Sequence, residues 1–281
     1  MLGHELKNTL RGAGYEVICV ARKNSDYNID ITKDEKLLKV MDYANPDIVI
    51  NSAAVVDVNC CETNETEVYR LNSRVPGILA MKCAEKGAYL VQISTDHFYT
   101  GDGRRKHCET DSVKLVNGYA RTKYCGEQLA LTYDNTIVIR TNIIGIGGSS
   151  RRKTFLEWVF EEIRMNREME LFDDFFTSSI HVCELSRIIV KILRQDMLKG
   201  IYNIASADVF SKKEFILNVS ESIFGHEPKY CTKSVKNIDG VKRAESLGLN
   251  TKKIEKITGI SMPSLQDTIR TIKEEFERRM M

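Results

Sequence analysis

The chain has 281 residues, 42% of them apolar and 28% charged, with a formal net charge of +2. That is an ordinary water-soluble composition, with room for one large domain or two unequal ones. No apolar run approaches the ~20 residues of a membrane span, residues 1–6 lack the pattern of a signal peptide, and so balanced a charge leaves no electrostatic footprint for nucleic acid.

In chain order, a helical pattern at 4–13 precedes a predicted buried strand at 15–21. A helix is expected over 34–43, and Asn45-Pro46 lead into a strand at 47–51. A long helical pattern at 66–86, a strand at 89–94, a helix at 118–132 and a strand at 136–140 follow. β-branched runs of this length suit a parallel sheet covered on both faces. The alternation of strand and helix predicts a Rossmann-like, doubly wound α/β fold. A glycine- and serine-rich loop at 145–150 then changes the texture. Helices are expected at 154–166, 182–195, 211–223 and 264–279, with a short strand at 200–205. The expected organisation is a dinucleotide-binding domain over 1–146 and a smaller, mainly helical substrate-binding domain over 147–281, with some segments crossing back.

Eight cysteines occur without a C-x-x-C pair, and the adjacent Cys60 and Cys61 lack metal-ligand spacing. They read as reduced and structural, in a cytoplasmic protein with no metal site. The short basic runs Arg104-Arg105-Lys106 and Arg151-Arg152-Lys153 read as solvated loops.

The strongest chemical signal is Tyr119 with Lys123. A spacing of four on a helix puts both side chains on one face. An ammonium near a phenol favours the phenolate and lowers its pKa, so the tyrosine can exchange a proton near neutrality. Taken alone, such a pair is more often a surface contact. Here a strand upstream ends in Ser94-Thr95, and ligands of open α/β sheets sit beyond the carboxyl ends of the strands. A hydroxyl there can hold the oxygen that the tyrosine protonates.

Asn51-Ser52-Ala53-Ala54, Ser94-Thr95-Asp96, Tyr119 with Lys123, and Arg140-Thr141-Asn142 resemble, in order and spacing, the extended short-chain dehydrogenases. Within them the chain is most similar to the dTDP-4-dehydrorhamnose reductases, over nearly its whole length. The resemblance implies NADPH-dependent reduction of the 4-keto group of a nucleotide-linked 6-deoxy sugar. It implies that Thr95 bonds the keto oxygen, that Tyr119 donates the proton, and that Lys123 binds the nicotinamide ribose and tunes Tyr119. Gly3, Ala53, Ala54, Val56, Asp30 and Ile31 would contact the cofactor. Asp96, His97, Asn142 and Arg243 would face the sugar nucleotide. Arg22 and Lys23 follow the strand at 15–21, where a basic residue accommodates the 2′-phosphate of NADP; this favours NADPH, with NADH as the alternative. The resemblance leaves room for a homodimer.

The chain departs from the pattern in three places. His97 stands where the family has tyrosine, and Ile143 where it has tryptophan; both positions face the sugar, so another nucleotide sugar, reduced or epimerised, is the alternative substrate. Third, only Gly3 matches the glycine-rich dinucleotide fingerprint, which should follow a first strand. The expectation is that about ten further residues, a strand and G-x-x-G, precede Met1 in the working protein. The competing reading is a non-catalytic relative, such as the regulatory β subunit of methionine adenosyltransferase.

Overall fold

The computed structural model describes residues 1–147, 153–195 and 197–280. Its centre is a parallel sheet in the order Gly200–Asn203, Thr136–Arg140, Tyr89–Ile93, Ile48–Asn51. Val49 pairs with Leu90, Val91 with Ile137, and Ile201 with Val138. Successive side chains of a strand point to opposite faces, and this divides the core. Tyr89, Val91, Ile93, Ile137 and Ile139 meet Leu2, Leu6 and Leu10 of the helix Leu2–Gly12, together with Leu185 and Ile189 of the helix Val182–Leu193. Leu90 faces the other way, toward Leu37, Met41, Val75, Leu79 and Cys83 of the helices Asp34–Ala44 and Val75–Lys86. Burying one such side chain contributes roughly 1.5–3 kcal/mol.

The three runs at 48–51, 89–93 and 136–140 thus form the expected parallel strands. The run at 15–21 does not join them. Only Val20–Ala21 is extended and paired, and its partner is Tyr27–Asn28. A strand is defined by its neighbour's hydrogen bonds, and among the described residues no strand lies along the outer edge of Ile48–Asn51. Tyr15 and Val17 still pack on the core, while Ile18 is 42% and Val20 38% exposed. The expectation of a buried strand is corrected on that ground.

The predicted helix at 66–86 is broken. It runs as Glu65–Tyr69, a π-helical turn at Arg70–Arg74, and Val75–Lys86, with a separate helix Val58–Thr63 before it. Pro76 has no N–H to give to the carbonyl of Asn72, four residues earlier, so the regular ladder cannot pass this point.

A second core lies C-terminal to the first. Leu156, Val159, Phe160, Phe215, Val219, Ile269 and Ile272 join the helices Phe155–Arg164, Lys212–Phe224 and Leu265–Met280. Short strands fill out this region. Met169–Phe172 pairs with Tyr230–Lys233, and Phe176–Thr177 lies between Phe210–Ser211 and Ser246–Leu247. These strands, and the helix Lys252–Thr258, add to the helical picture drawn from the sequence. Gly200–Asn203 and Val182–Leu193 return to the first core.

Arg104-Arg105-Lys106 is more than a solvated loop. Arg104 bonds Glu214 and the Val209 carbonyl, Arg105 pairs with Asp111, and Lys106 donates to the Ala207 carbonyl. Of the second run, Arg151 and Arg152 lie outside the described residues, as do 148–150 of the glycine- and serine-rich loop; Lys153 pairs with Glu161. All eight cysteines are unpaired. Among the described residues no helix is long and apolar enough to cross a membrane.

Candidate active site

The helix Gly118–Ala130 carries Tyr119 and Lys123, and close backbone packing holds it in place. A Cβ on Gly118 would overlap the Cys61 carbonyl, and one on Gly126 would overlap the Asn72 carbonyl. Asn117 caps the helix by accepting from the Ala120 N–H at 2.8 Å, and its Nδ2 donates to the Lys242 carbonyl at 2.9 Å. Gly126→Ala is therefore expected to destabilise the protein by about 3 kcal/mol, since backbone cannot yield as a side chain can. Thermal denaturation checks this, and an unchanged melting temperature would refute the close approach.

Asn72 is a site residue that sequence reasoning missed. Its Oδ1 accepts from the Val55 N–H at 2.8 Å, and its Nδ2 donates to the Val55 carbonyl at 2.9 Å and to Thr122 Oγ1 at 3.2 Å. It clamps the loop after Ile48–Asn51 to the helix of Tyr119.

Thr95, Asp96 and His97 follow directly on Tyr89–Ile93. The Ser94 N–H continues the ladder to the Ile139 carbonyl at 2.7 Å, which aims the next residues at the carboxyl end of the sheet. The Thr95 hydroxyl lies against the Tyr119 phenol. The His97 ring meets the Tyr119 ring edge-on, 5.4 Å between centres. Lys123 Nζ donates to the Ile93 carbonyl at 2.8 Å, which Gln92 Nε2 also reaches at 2.8 Å. Asp96 is fully buried; its Oδ2 accepts from Asn142 Nδ2 at 2.7 Å, and Asn142 Oδ1 accepts from Ser179 at 2.8 Å. The structure thus brings Thr95, Asp96, His97, Tyr119, Lys123 and Asn142 together.

The electrostatics correct one expectation. Burial pushes the Tyr119 phenol well above the usual tyrosine range, and the bond to Thr95 opposes this only in part. In the resting site the Lys123 ammonium donates to the Ile93 carbonyl; burial lowers Lys123 itself to about 8, against the charge of Glu127. Tyr119 is a neutral proton donor here, not a pre-formed phenolate. Burial also raises Asp96 to about 7 and lowers His97 to about 4, with Lys212 and Arg243 adding to the latter. His97 is therefore a neutral imidazole at physiological pH, and its Nδ1 has no hydrogen-bond partner among the described residues.

The other expected residues lie around this centre. Gly3 sits at the start of the helix Leu2–Gly12, where a Cβ would meet Ser52 Oγ at 3.4 Å. Ala53 and Ala54 are partly exposed and Val56 is 64% exposed. Arg22 and Lys23 are exposed just after Val20–Ala21. Asp30 accepts from the Thr32 N–H and hydroxyl, which hold its carboxyl below the usual range, and it feels the charge of Arg22. Ile31 packs against the core of Leu37 and Leu90. Arg243 is exposed, within electrostatic reach of His97. Lys212 stands on the same side, a residue the sequence reading did not single out.

Known proteins share this arrangement of chain. The model of the RmlD substrate binding domain family matches residues 1–278. The spore coat polysaccharide biosynthesis protein SpsK of Bacillus subtilis (strain 168) is 30% identical over 222 residues, covering 78% of this chain and 75% of that protein. The probable low-salt glycan biosynthesis reductase Agl14 of Haloferax volcanii is 23% identical over 286 residues, covering 98% of this chain and 95% of that one. A crystal structure of dTDP-4-dehydrorhamnose reductase from Bacillus anthracis in complex with NADP superposes with a TM-score of 0.88 at 22% identity, over 98% of this chain and 95% of that one; at that identity the likeness speaks for the fold. The chain belongs to the RmlD substrate binding domain family.

Proposed function

We propose that the protein is an NADPH-dependent reductase of a keto group on a nucleotide-linked sugar, with the 4-keto group of a dTDP-linked 6-deoxy sugar as the first candidate. The observation that carries this reading is the meeting of Thr95, Tyr119 and Lys123 at the carboxyl end of a parallel sheet. The residues present suit a dinucleotide. The N-terminus of the helix Leu2–Gly12 lies beside Ser52, and a helix N-terminus favours a phosphate. Among the described residues the buried Ser94 hydroxyl at the end of Tyr89–Ile93 has no hydrogen-bond partner.

A bound NADPH supplies hydride to the keto carbon. The Thr95 hydroxyl holds the keto oxygen, and the neutral Tyr119 phenol gives that oxygen its proton as the carbonyl becomes an alcohol. The charged form of Lys123 then stabilises the phenolate until solvent reprotonates it. Asn142 and Asp96 brace the Thr95 side of the site.

The test is to follow NADPH oxidation with dTDP-4-keto-6-deoxy sugars, and with other keto-sugar nucleotides in parallel. Turnover of a UDP-linked sugar alone would favour the second reading, a reductase or epimerase of another nucleotide sugar. His97, with its free Nδ1 where the family has tyrosine, motivates that reading. NADPH binding without turnover of any keto-sugar would favour a non-catalytic subunit.

Cofactor choice follows from Arg22 and Lys23, which have no ion-pair partner among the described residues. Replacing both with alanine is expected to raise the KM for NADPH far more than that for NADH. Equal effects on the two cofactors would remove the assignment.

A further inference from the structure

The site holds more positive charge than its buried carboxyl balances. Lys212 opens the helix Lys212–Phe224, and its ammonium lies 4.1 Å from the centre of the Phe155 ring and 5.4 Å from that of Phe175. Two aromatic faces hold the charge and limit its rotamers. The Lys212 backbone N–H donates to the Phe175 carbonyl at 2.9 Å, which fixes where the side chain starts. Asp96, His97 and Arg243 are within its electrostatic reach.

Asp96 offsets only part of this positive charge. Its carboxyl is engaged by Asn142 and Thr95. Neither Lys212 nor Arg243 has an ion pair or side-chain hydrogen bond among the described residues. Burial lowers Lys212 to about 8 against the charge of Asp96, and Arg243 adds to the lowering. His97 adds a neutral ring with a buried, unpartnered Nδ1. Lys212 and Arg243 repel one another, and an incoming anion relieves that repulsion.

We propose that Lys212 is a specificity-determining residue that, with Arg243, receives a negatively charged group of the substrate, either the diphosphate or a carboxylate on the sugar. This rests on the nucleotide-sugar reading above. It explains why the lysine is caged by Phe155 and Phe175 rather than left to swing in solvent: a point charge of fixed position discriminates between ligands, and a mobile one does so less.

The test is calorimetric titration of the wild type, Lys212→Met and Lys212→Gln with UDP, dTDP, uridine, thymidine, UDP-glucose and UDP-glucuronic acid. If Lys212 reads the diphosphate, both variants should bind UDP or dTDP about tenfold or more weakly, with nucleoside binding unchanged. If it reads a sugar carboxylate, UDP binding should hold, and a preference for UDP-glucuronic acid over UDP-glucose should vanish. Lys212→Arg should restore either effect. Unchanged binding of every ligand by both neutral variants would overturn the inference and leave the reductase reading standing. A wild type that binds none of these ligands would overturn both.

Discussion

Tyr119→Phe is expected to lower kcat by roughly 10²–10⁴-fold while NADPH affinity stays close to wild type. The substitution removes one hydroxyl and keeps the ring. That ring packs with Cys61 and Val68 and meets His97 edge-on, so the fold loses little. The phenol meets the Thr95 hydroxyl and feels the charge of Asp96. Burial keeps it neutral, so its proton is available when charge develops on the keto oxygen, and phenylalanine has none to give. An interaction made in the transition state lowers kcat and kcat/KM together. Wild-type turnover by this variant would end the proposed mechanism. A large loss of NADPH affinity would assign Tyr119 to cofactor binding instead.

Local pattern made part of this site readable before the structure. The strands at 48–51, 89–93 and 136–140 are β-branched runs, and burial on both faces leaves few other states for them. Their carboxyl ends then bring Thr95 toward Tyr119, whose partner Lys123 follows at helical spacing. The run at 15–21 has the same composition and a different fate, because composition cannot report whether a neighbour is there to pair with. Asn72 was hidden because its partner Thr122, 50 residues later in the chain, and the close approach of Gly126 come to it only through tertiary packing. Lys212 was hidden because its meaning comes from Phe155, Phe175 and Arg243, which only tertiary packing assembles. The pKa of Tyr119 was misread for a related reason: spacing places an ammonium near a phenol, but it does not say which carbonyl the ammonium prefers.

Glu127→Gln is expected to destabilise the protein by about 3–5 kcal/mol. Arg140 and Glu127 are 2% and 0% exposed at their side chains, and they form a forked pair. Arg140 Nε lies 3.1 and 3.2 Å from the two carboxylate oxygens, and NH2 donates to Oε2 at 2.8 Å; NH1 donates to the Tyr99 hydroxyl at 2.9 Å. Removing one charge strands the other in a dry interior. For a chain of this size the melting temperature should fall by about 10 °C. Replacing both residues with methionine should recover much of the loss, because the pair costs desolvation as well as returning attraction. There is also a functional consequence. Glu127 lies one helical turn beyond Lys123, and its charge opposes the lowering of Lys123 by burial. Without that charge Lys123 should fall below about 8, so less of it is protonated at neutral pH. If the charged ammonium supports proton donation from Tyr119, the alkaline limb of the kcat profile should move to lower pH in Glu127→Gln, measured well below its melting temperature. A profile superimposable on the wild type would show that Glu127 serves the fold alone.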